Sequence, residues 1–152
     1  MPDFILRPAE LRDMKPVFDL ANDPLVRENS IHTDPIPWKD HVVWFNSIVV
    51  DPDVKLFIAE TATGEMVGQV RFQKRGAAWI VSISVAAAFR GKKIGGRLLD
   101  QAIKDCRGLN MIAQIRKTNT ASIKMFAAAG FIEDTATVSS PHFLTMTKES
   151  HV

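Results

Sequence analysis

The chain has 152 residues, of which 46% are hydrophobic and 24% charged, with a net charge of +2. That length suits one domain with a sizeable core and is short for two, and the composition is ordinary for a globular protein. The near-neutral balance gives no argument for a nucleic-acid partner, although Lys74, Arg75, Arg90, Lys92, Lys93 and Arg97 lie close enough in sequence to suggest a local anion site. A single cysteine, Cys106, excludes an internal disulfide framework and fits a reducing compartment. The start MPDFILRPAE lacks a charged region followed by a long apolar stretch, and no apolar run reaches the length of a membrane span. The expectation is a cytoplasmic single domain with neither membrane nor nucleic acid as partner. No metal is expected.

In chain order, FILR (4–7) reads as a short strand. Asp13 is placed to cap a helix carrying Met14, Val17, Phe18 and Ala21 at helical spacing, with Pro16 in its first turn. Residues 22–37, polar and proline-rich, read as an irregular loop. A second helix is expected from about Trp38 to Val50, with Trp38, Val42, Phe45 and Val49 on one face. KLFIAET (55–61), EMVGQVRFQK (65–74) and AAWIVSISV (77–85) read as strands joined by tight-turn signals, hence as antiparallel hairpins. A helix with Ile94, Leu98, Leu99, Ala102, Ile103 and Cys106 on one stripe follows, then a strand LNMIAQI (109–115). One helix separates that strand from 77–85, so the two should pair in parallel. NTASIKMFAAAG (119–130) reads as a helix with Gly130 at its end, and PHFLTMTK (141–148) as a last strand; His151 sits in the tail. The layout is α+β with a mixed sheet.

Between strand 77–85 and the next helix lies Arg90-Gly91-Lys92-Lys93-Ile94-Gly95-Gly96. Glycines let backbone N–H groups turn inward, the free N–H groups of a helix start face the same point, and three cations add charge. This is a cradle for a phosphate or pyrophosphate. A Walker loop would need Gly-Lys-Ser/Thr after four spacers, which is absent. A dinucleotide fingerprint should follow the first strand of a parallel sheet, whereas here three hairpin strands precede it.

The segment resembles the acyl-CoA signature of the GNAT superfamily of N-acyltransferases, Gln/Arg-x-x-Gly-x-Gly/Ala, with Arg90 first, Gly95 last and Lys93 in place of the central glycine. NTASIKMFAAAGF resembles the other marker of that family through Asn119, Ser122, Phe126, Gly130 and Phe131. The resemblance covers nearly the whole chain. It implies one domain over residues 1–152 with a mixed, mostly antiparallel sheet of six to seven strands, about four helices, and splayed parallel strands at the acyl-CoA site. It further implies acetyl-CoA as donor, its arm lying along the strand end Ser82 to Val85 with Ser84 and Val85 as contacts, the Val85 backbone polarising the thioester, and its pyrophosphate held at Gly91, Lys92, Lys93, Ile94, Gly95 and Gly96 beside Arg90. Asn119, Ser122 and Phe126 would complete the donor site. Relatives often dimerise, so a homodimer is a further expectation.

Many members of that family protonate the departing thiolate with a tyrosine, and this chain has none; Phe126 stands in its place. Ser122, a water or the product ammonium remain as proton sources. Glu60, His32, His41 or a water chain remain as the base. On the acceptor side, Asn22, Asp23, Pro24, Arg27, Ser30, His41, Trp44, Phe45, Gln69, Arg71 and Phe72 resemble the nucleotide-aminosugar N-acetyltransferases of pseudaminic acid biosynthesis. This implies the 4-amino group of a UDP-linked amino sugar as acceptor, with Arg27, His41, Trp44, Gln69 and Arg71 as its contacts. Acetyltransferases of ribosomal-protein N-termini share the Asn-Asp-Pro and the aromatic second helix. Few carboxylates lie in 22–45, which argues against a polyamine.

The same residues have blander readings: Asn119 as a helix cap, Phe126 as packing, His41 as a structural histidine, Arg27 as a partner of Asp23 or Glu28. A GNAT-like domain that binds CoA without catalysis is the rival to the enzyme, supported by the missing tyrosine and by Lys93. A nucleic-acid module is the third reading, weakened because the cations sit in one turn and not along a stripe with aromatics.

Overall fold

The computed structural model describes residues 3–136 and 140–150; His151 lies outside the described residues. The order is β1 (Ile5–Pro8), a 3-10 turn (Leu11–Asp13), α1 (Met14–Ala21), α2 (Pro24–Glu28) and α3 (Trp38–Ile48), then β2 (Val54–Glu60), β3 (Met66–Arg75) and β4 (Ala78–Val85). A second 3-10 turn (Ala87–Phe89) leads to α4 (Ile94–Asp105), β5 (Met111–Arg116), α5 (Thr120–Ala128), β6 (Ile132–Glu133) and β7 (Phe143–Lys148). The strands form one seven-stranded sheet in the order β1-β2-β3-β4-β5-β7-β6. The β4–β5 pair is parallel and the other pairs are antiparallel. This is the expected α+β layout. Among the described residues, no helix is long and apolar enough to cross a membrane, and no group of three or more His, Cys, Asp and Glu could hold a metal.

Two local expectations need correction. The 22–37 stretch contains α2, because the Asp23 carboxylate accepts from the N–H groups of Leu25 and Val26 at 3.0 and 3.3 Å and Pro24 sits in the first turn, where no N–H is needed. Asp13 does not cap α1 with its side chain. It is buried, takes the Glu10 N–H at 2.8 Å and is gripped by Arg7 through two bonds of 2.8 Å.

The sheet is covered on both faces, and each face has its own core. On one face α4 lays Ile94, Leu98, Leu99 and Ala102 against Val70 and Phe72 of β3, Val81 of β4 and Ala113 and Ile115 of β5. Each fully buried Leu or Ile there contributes roughly 1.5–3 kcal/mol relative to exposure. Cys106 closes this helix as a core residue, its thiol pushed above its usual range by burial. On the other face α1 and α3 set Val17, Phe45 and Ile48 against Leu56 and Ile58 of β2. Alternation along β3 separates the two: Val70 and Phe72 join the α4 core, whereas Gln69 and Arg71 turn toward α3. Gly68 leaves no room for a side chain, since a Cβ there would lie 2.4 Å from the Ser84 carbonyl oxygen on the neighbouring strand and 3.3 Å from a Leu98 methyl of α4.

Candidate active site

β4 and β5 begin as neighbours and then part. Their ladder holds only Trp79–Met111 and Ile80–Ile112, although β4 continues to Val85 and β5 to Arg116. Each strand stays paired on its outer side to the end, β4 with β3 down to Val85–Gly68 and β5 with β7 down to Arg116–Phe143. The sheet therefore opens as a V whose facing edges carry backbone donors and acceptors, which a guest with strand-like polarity can satisfy.

The basic turn lies just past the end of the β4 arm. Lys93, at φ 60 and ψ 18, is the one non-glycine residue with positive φ among the described residues, and Gly91 has φ 77. The position where the signature carries glycine is thus one where the backbone is left-handed, and Lys93 adopts that conformation at a cost. Helix α4 starts at Ile94 with no side-chain cap, so its first N–H groups face the turn, beside the exposed Lys92 and Lys93. The arrangement fits a pyrophosphate. A Cβ on Gly95 would meet Met125 Sδ at 3.0 Å and Val85 Cγ2 at 3.5 Å, so small size there lets α4 close on α5 and β4; at Gly96 a Cβ would meet nothing within 4 Å. Arg90 does not reach into the cradle. Its Nε donates to the Val85 carbonyl at 3.0 Å and its Nη2 to Asp23 Oδ1 at 2.8 Å.

Helix α5 starts beyond the β5 arm. Asn119 Oδ1 accepts the Ser122 N–H at 3.2 Å, so the cap reading is correct. Ser122 is half-buried in the first turn, and its hydroxyl has no hydrogen-bond partner among the described residues. Phe126, expected at the donor site, is 2% exposed and meets Phe131 edge-on at 5.0 Å. It belongs to the core, and a phenyl ring carries no proton for the thiolate.

The α3 side of the V holds a polar stripe. Register pairs Gln69 with Ser84 and Arg71 with Ser82 across β3–β4, and Gln114 with Thr145 across β5–β7, all on the face opposite α4. Buried polar atoms normally find partners. Three that do not, among the described residues, are Gln69 Oε1, Thr145 Oγ1 and Arg116 Nε, and all three belong to this face. The Arg71 guanidinium lies over the Trp44 ring at 5.3 Å. No carboxylate pairs with it among the described residues, and burial pushes its pKa down. The positions of this stripe on β3, β4, β5 and β7 include no acidic residue.

Sequence reasoning thus brought Gln69, Arg71, Trp44 and the strand end from Ser82 through Ser84 to Val85 to one place, and it missed Gln114, Arg116 and Thr145. The period-two alternation in MIAQIR was a signal for two of these: Met111, Ala113 and Ile115 are buried, which turns Gln114 and Arg116 to the other side. Three expected residues are occupied elsewhere. Glu60 is clamped by Arg7 through bonds of 2.9 and 3.1 Å, which hold its carboxyl below the usual range and unfit it as a base. His41 is 1% exposed, donates Nε2–H to the Met14 carbonyl at 2.8 Å and lies among Phe18, Trp38, Trp44 and Phe45; burial lowers its pKa, so it is a structural histidine. Arg27 pairs with neither Asp23 nor Glu28. It spends its donors on the carbonyls of Ala21, His32 and Asp34 and on Ser30 Oγ, tying its own loop together. The side chain of His32 is exposed.

A mixed sheet that splits between its two parallel strands, with an uncapped helix start and a basic turn at the mouth, defines the acyl-CoA-dependent transferase class. The family model of the Acetyltransferase (GNAT) family matches residues 15–131, and the chain belongs to that family. Among curated proteins it is 29% identical over 138 residues to YwnH of Bacillus subtilis strain 168, a candidate phosphinothricin acetyltransferase, covering 84% of this chain and 83% of that one. The structure of a candidate phosphinothricin N-acetyltransferase matches with a TM-score of 0.76 at 26% identity, over 99% of this chain and 100% of that one. A spermidine N-acetyltransferase from Vibrio cholerae, solved with CoA and spermine, shares the fold at a TM-score of 0.80 and 16% identity, over 95% and 92% of the two chains. The protein is an N-acetyltransferase.

Proposed function

We propose that this enzyme acetylates the primary amine of a compact acceptor that carries an anionic group, as phosphinothricin does, and that one domain spanning the chain carries the activity. The observation behind this is Arg71: a half-buried guanidinium beside Trp44, without a carboxylate partner among the described residues, on a stripe with no carboxylate. Such a cation favours an anion with a flat oxygen pair. A polyamine wants the opposite charge, so the spermidine-type acceptor of the Vibrio relative is disfavoured.

Acetyl-CoA supplies an activated acetyl carbon and a thiolate leaving group. In this reading the Ser84–Val85 edge holds the donor arm, the N–H groups of Gly91 to Gly96 and the ammonium groups of Lys92 and Lys93 hold its pyrophosphate, and Asn119 fixes the start of α5. Gln69 Oε1 accepts from the acceptor amine and aims it at the V. With Glu60 and His41 engaged elsewhere, the amine loses its proton to water. The Ser122 hydroxyl has no partner of its own among the described residues and donates a hydrogen bond to the departing thiolate, which takes up the proton that the acetylated nitrogen sheds as the amide forms.

A nucleotide-linked amino sugar is a second reading, because Arg71 stacked on Trp44 offers both a cation for a phosphate and an aromatic surface for a base. Release of CoA decides between the readings when acetyl-CoA is mixed with phosphinothricin, a UDP-4-amino sugar, spermidine or an N-terminal peptide. Turnover with phosphinothricin is expected. Arg71→Ala should then raise the phosphinothricin KM roughly 10- to 100-fold, the loss of one hydrogen bond to a charged group, and leave the acetyl-CoA KM nearly unchanged. Turnover of spermidine alone would overturn the anionic reading, and turnover of the sugar alone would replace it with the second.

A further inference from the structure

The 22–36 segment closes on itself before it touches the rest of the protein. The Asn22 side chain pins Ile36 by two bonds, donating to its carbonyl at 3.1 Å and accepting its N–H at 2.7 Å. Arg27 ties Ala21, Ser30, His32 and Asp34 together from inside, and Asp23 caps α2. Beyond its junction with α1, the segment is hydrogen-bonded to each arm of the V among the described residues. Asp23 Oδ1 holds Arg90 at 2.8 Å, and Arg90 holds the carbonyl of Val85, the last residue of β4, at 3.0 Å. The Ser30 carbonyl accepts from Arg116, the last residue of β5, at 2.8 Å. The Asp23–Arg90 pair is three-quarters withdrawn from solvent, with side-chain exposures of 20% and 28%, so salt screens it less than a surface pair.

We propose that residues 22–36 are a strap that couples the donor and acceptor sites, with Asp23 as the positioning residue. Arg90 belongs to the turn that receives the donor pyrophosphate and also carries the strap, so whatever fixes the turn fixes the strap and the acceptor side of the V beneath it. This rests on the donor-site reading of the turn and is independent of which amine is acetylated. The coupling is reciprocal, as any difference in binding free energy between two sites must be.

Asp23→Ser separates the carboxylate's two tasks. Serine caps a helix about as well as aspartate, so α2 keeps its start, but its hydroxyl is too short to reach Arg90. Hydrogen–deuterium exchange of the full chain is followed with and without saturating CoA, and slowed exchange at residues 94–97 serves as proof that the turn is filled. In the wild type, CoA should slow the amides of 22–36 about tenfold, within the usual range of coupling. In Asp23→Ser that slowing should vanish while 94–97 still respond, and Asp23→Asn, which keeps both the cap and an acceptor for Arg90, should restore much of it. Equal slowing of 22–36 in wild type and Asp23→Ser overturns the proposal, as does a wild-type strap that ignores CoA while 94–97 respond. If CoA slows neither region of the wild type, the donor-site reading itself fails and takes the strap with it.

Discussion

Lys93→Gly should make the enzyme more stable and a weaker binder of CoA. Lys93 has φ 60 and ψ 18, and a left-handed conformation costs a residue with a Cβ roughly 1–2 kcal/mol. Glycine removes that cost but adds about 0.4–1 kcal/mol of unfolded-chain entropy. The net gain is therefore about 0.8 kcal/mol, which for a chain of this size raises Tm by about 2–3 °C. The same change removes an exposed ammonium beside the N-terminus of α4, the place assigned to the pyrophosphate. A charge-assisted contact of that kind, discounted for solvent, is worth about 1 kcal/mol, or about fivefold in CoA Kd. Thermal unfolding and calorimetric titration with CoA read the two effects separately. Lys93→Ala is the control: it loses the charge and keeps the strained backbone, so affinity should fall as in the glycine variant with no rise in Tm. If Lys93→Gly melts no higher than Lys93→Ala, the strain argument is wrong. If all three proteins bind CoA alike, the ammonium plays no part in the cradle.

The pH dependence of stability should carry a signature of His41. Burial lowers its pKa below 6.5, so the unfolded chain takes up a proton at about 6.5 while the folded one does not. Stability is then flat above that pH and falls as pH drops below it, by up to about 1.4 kcal/mol per unit until the folded-state value is passed. Urea midpoints at pH 7.5 and 5.5 should separate in the wild type and draw together in His41→Gln, whose amide can still donate to the Met14 carbonyl; an equal separation in both contradicts the assignment. Gly68→Ala should destabilise by about 3 kcal/mol, at the upper end for overpacking, because the added Cβ meets the Ser84 carbonyl oxygen at 2.4 Å and backbone must move. Chemical denaturation measures this directly, and a loss below about 0.5 kcal/mol would show that β3 and β4 are not locked together beside the V.

The elements were legible because each announced itself locally. Alternation and tight turns marked β2, β3 and β4, a continuous apolar stripe marked α4, and one intervening helix made β5 parallel to β4. The basic turn and the helix start after it were legible for the same reason, since the two are contiguous in sequence. Helix α2 was not, because a five-residue helix leaves no periodic pattern, and only Asp23 with Pro24 signals it. The acceptor side is a matter of which side chains share a sheet face, and that depends on pairings between strands far apart in the chain. Gln69 was singled out by resemblance and Arg71 also by its place between Val70 and Phe72, but Thr145 and Arg116 acquire meaning only once β7 and β5 have been aligned. The same logic misplaced Arg90. Its position in the signature suggested a phosphate ligand, and nothing nearby in sequence hinted that Asp23, 67 residues earlier, would claim it. An arginine that has already found a carboxylate is committed to holding the 22–36 segment, so this site is read from its hydrogen bonds as much as from its list of cations.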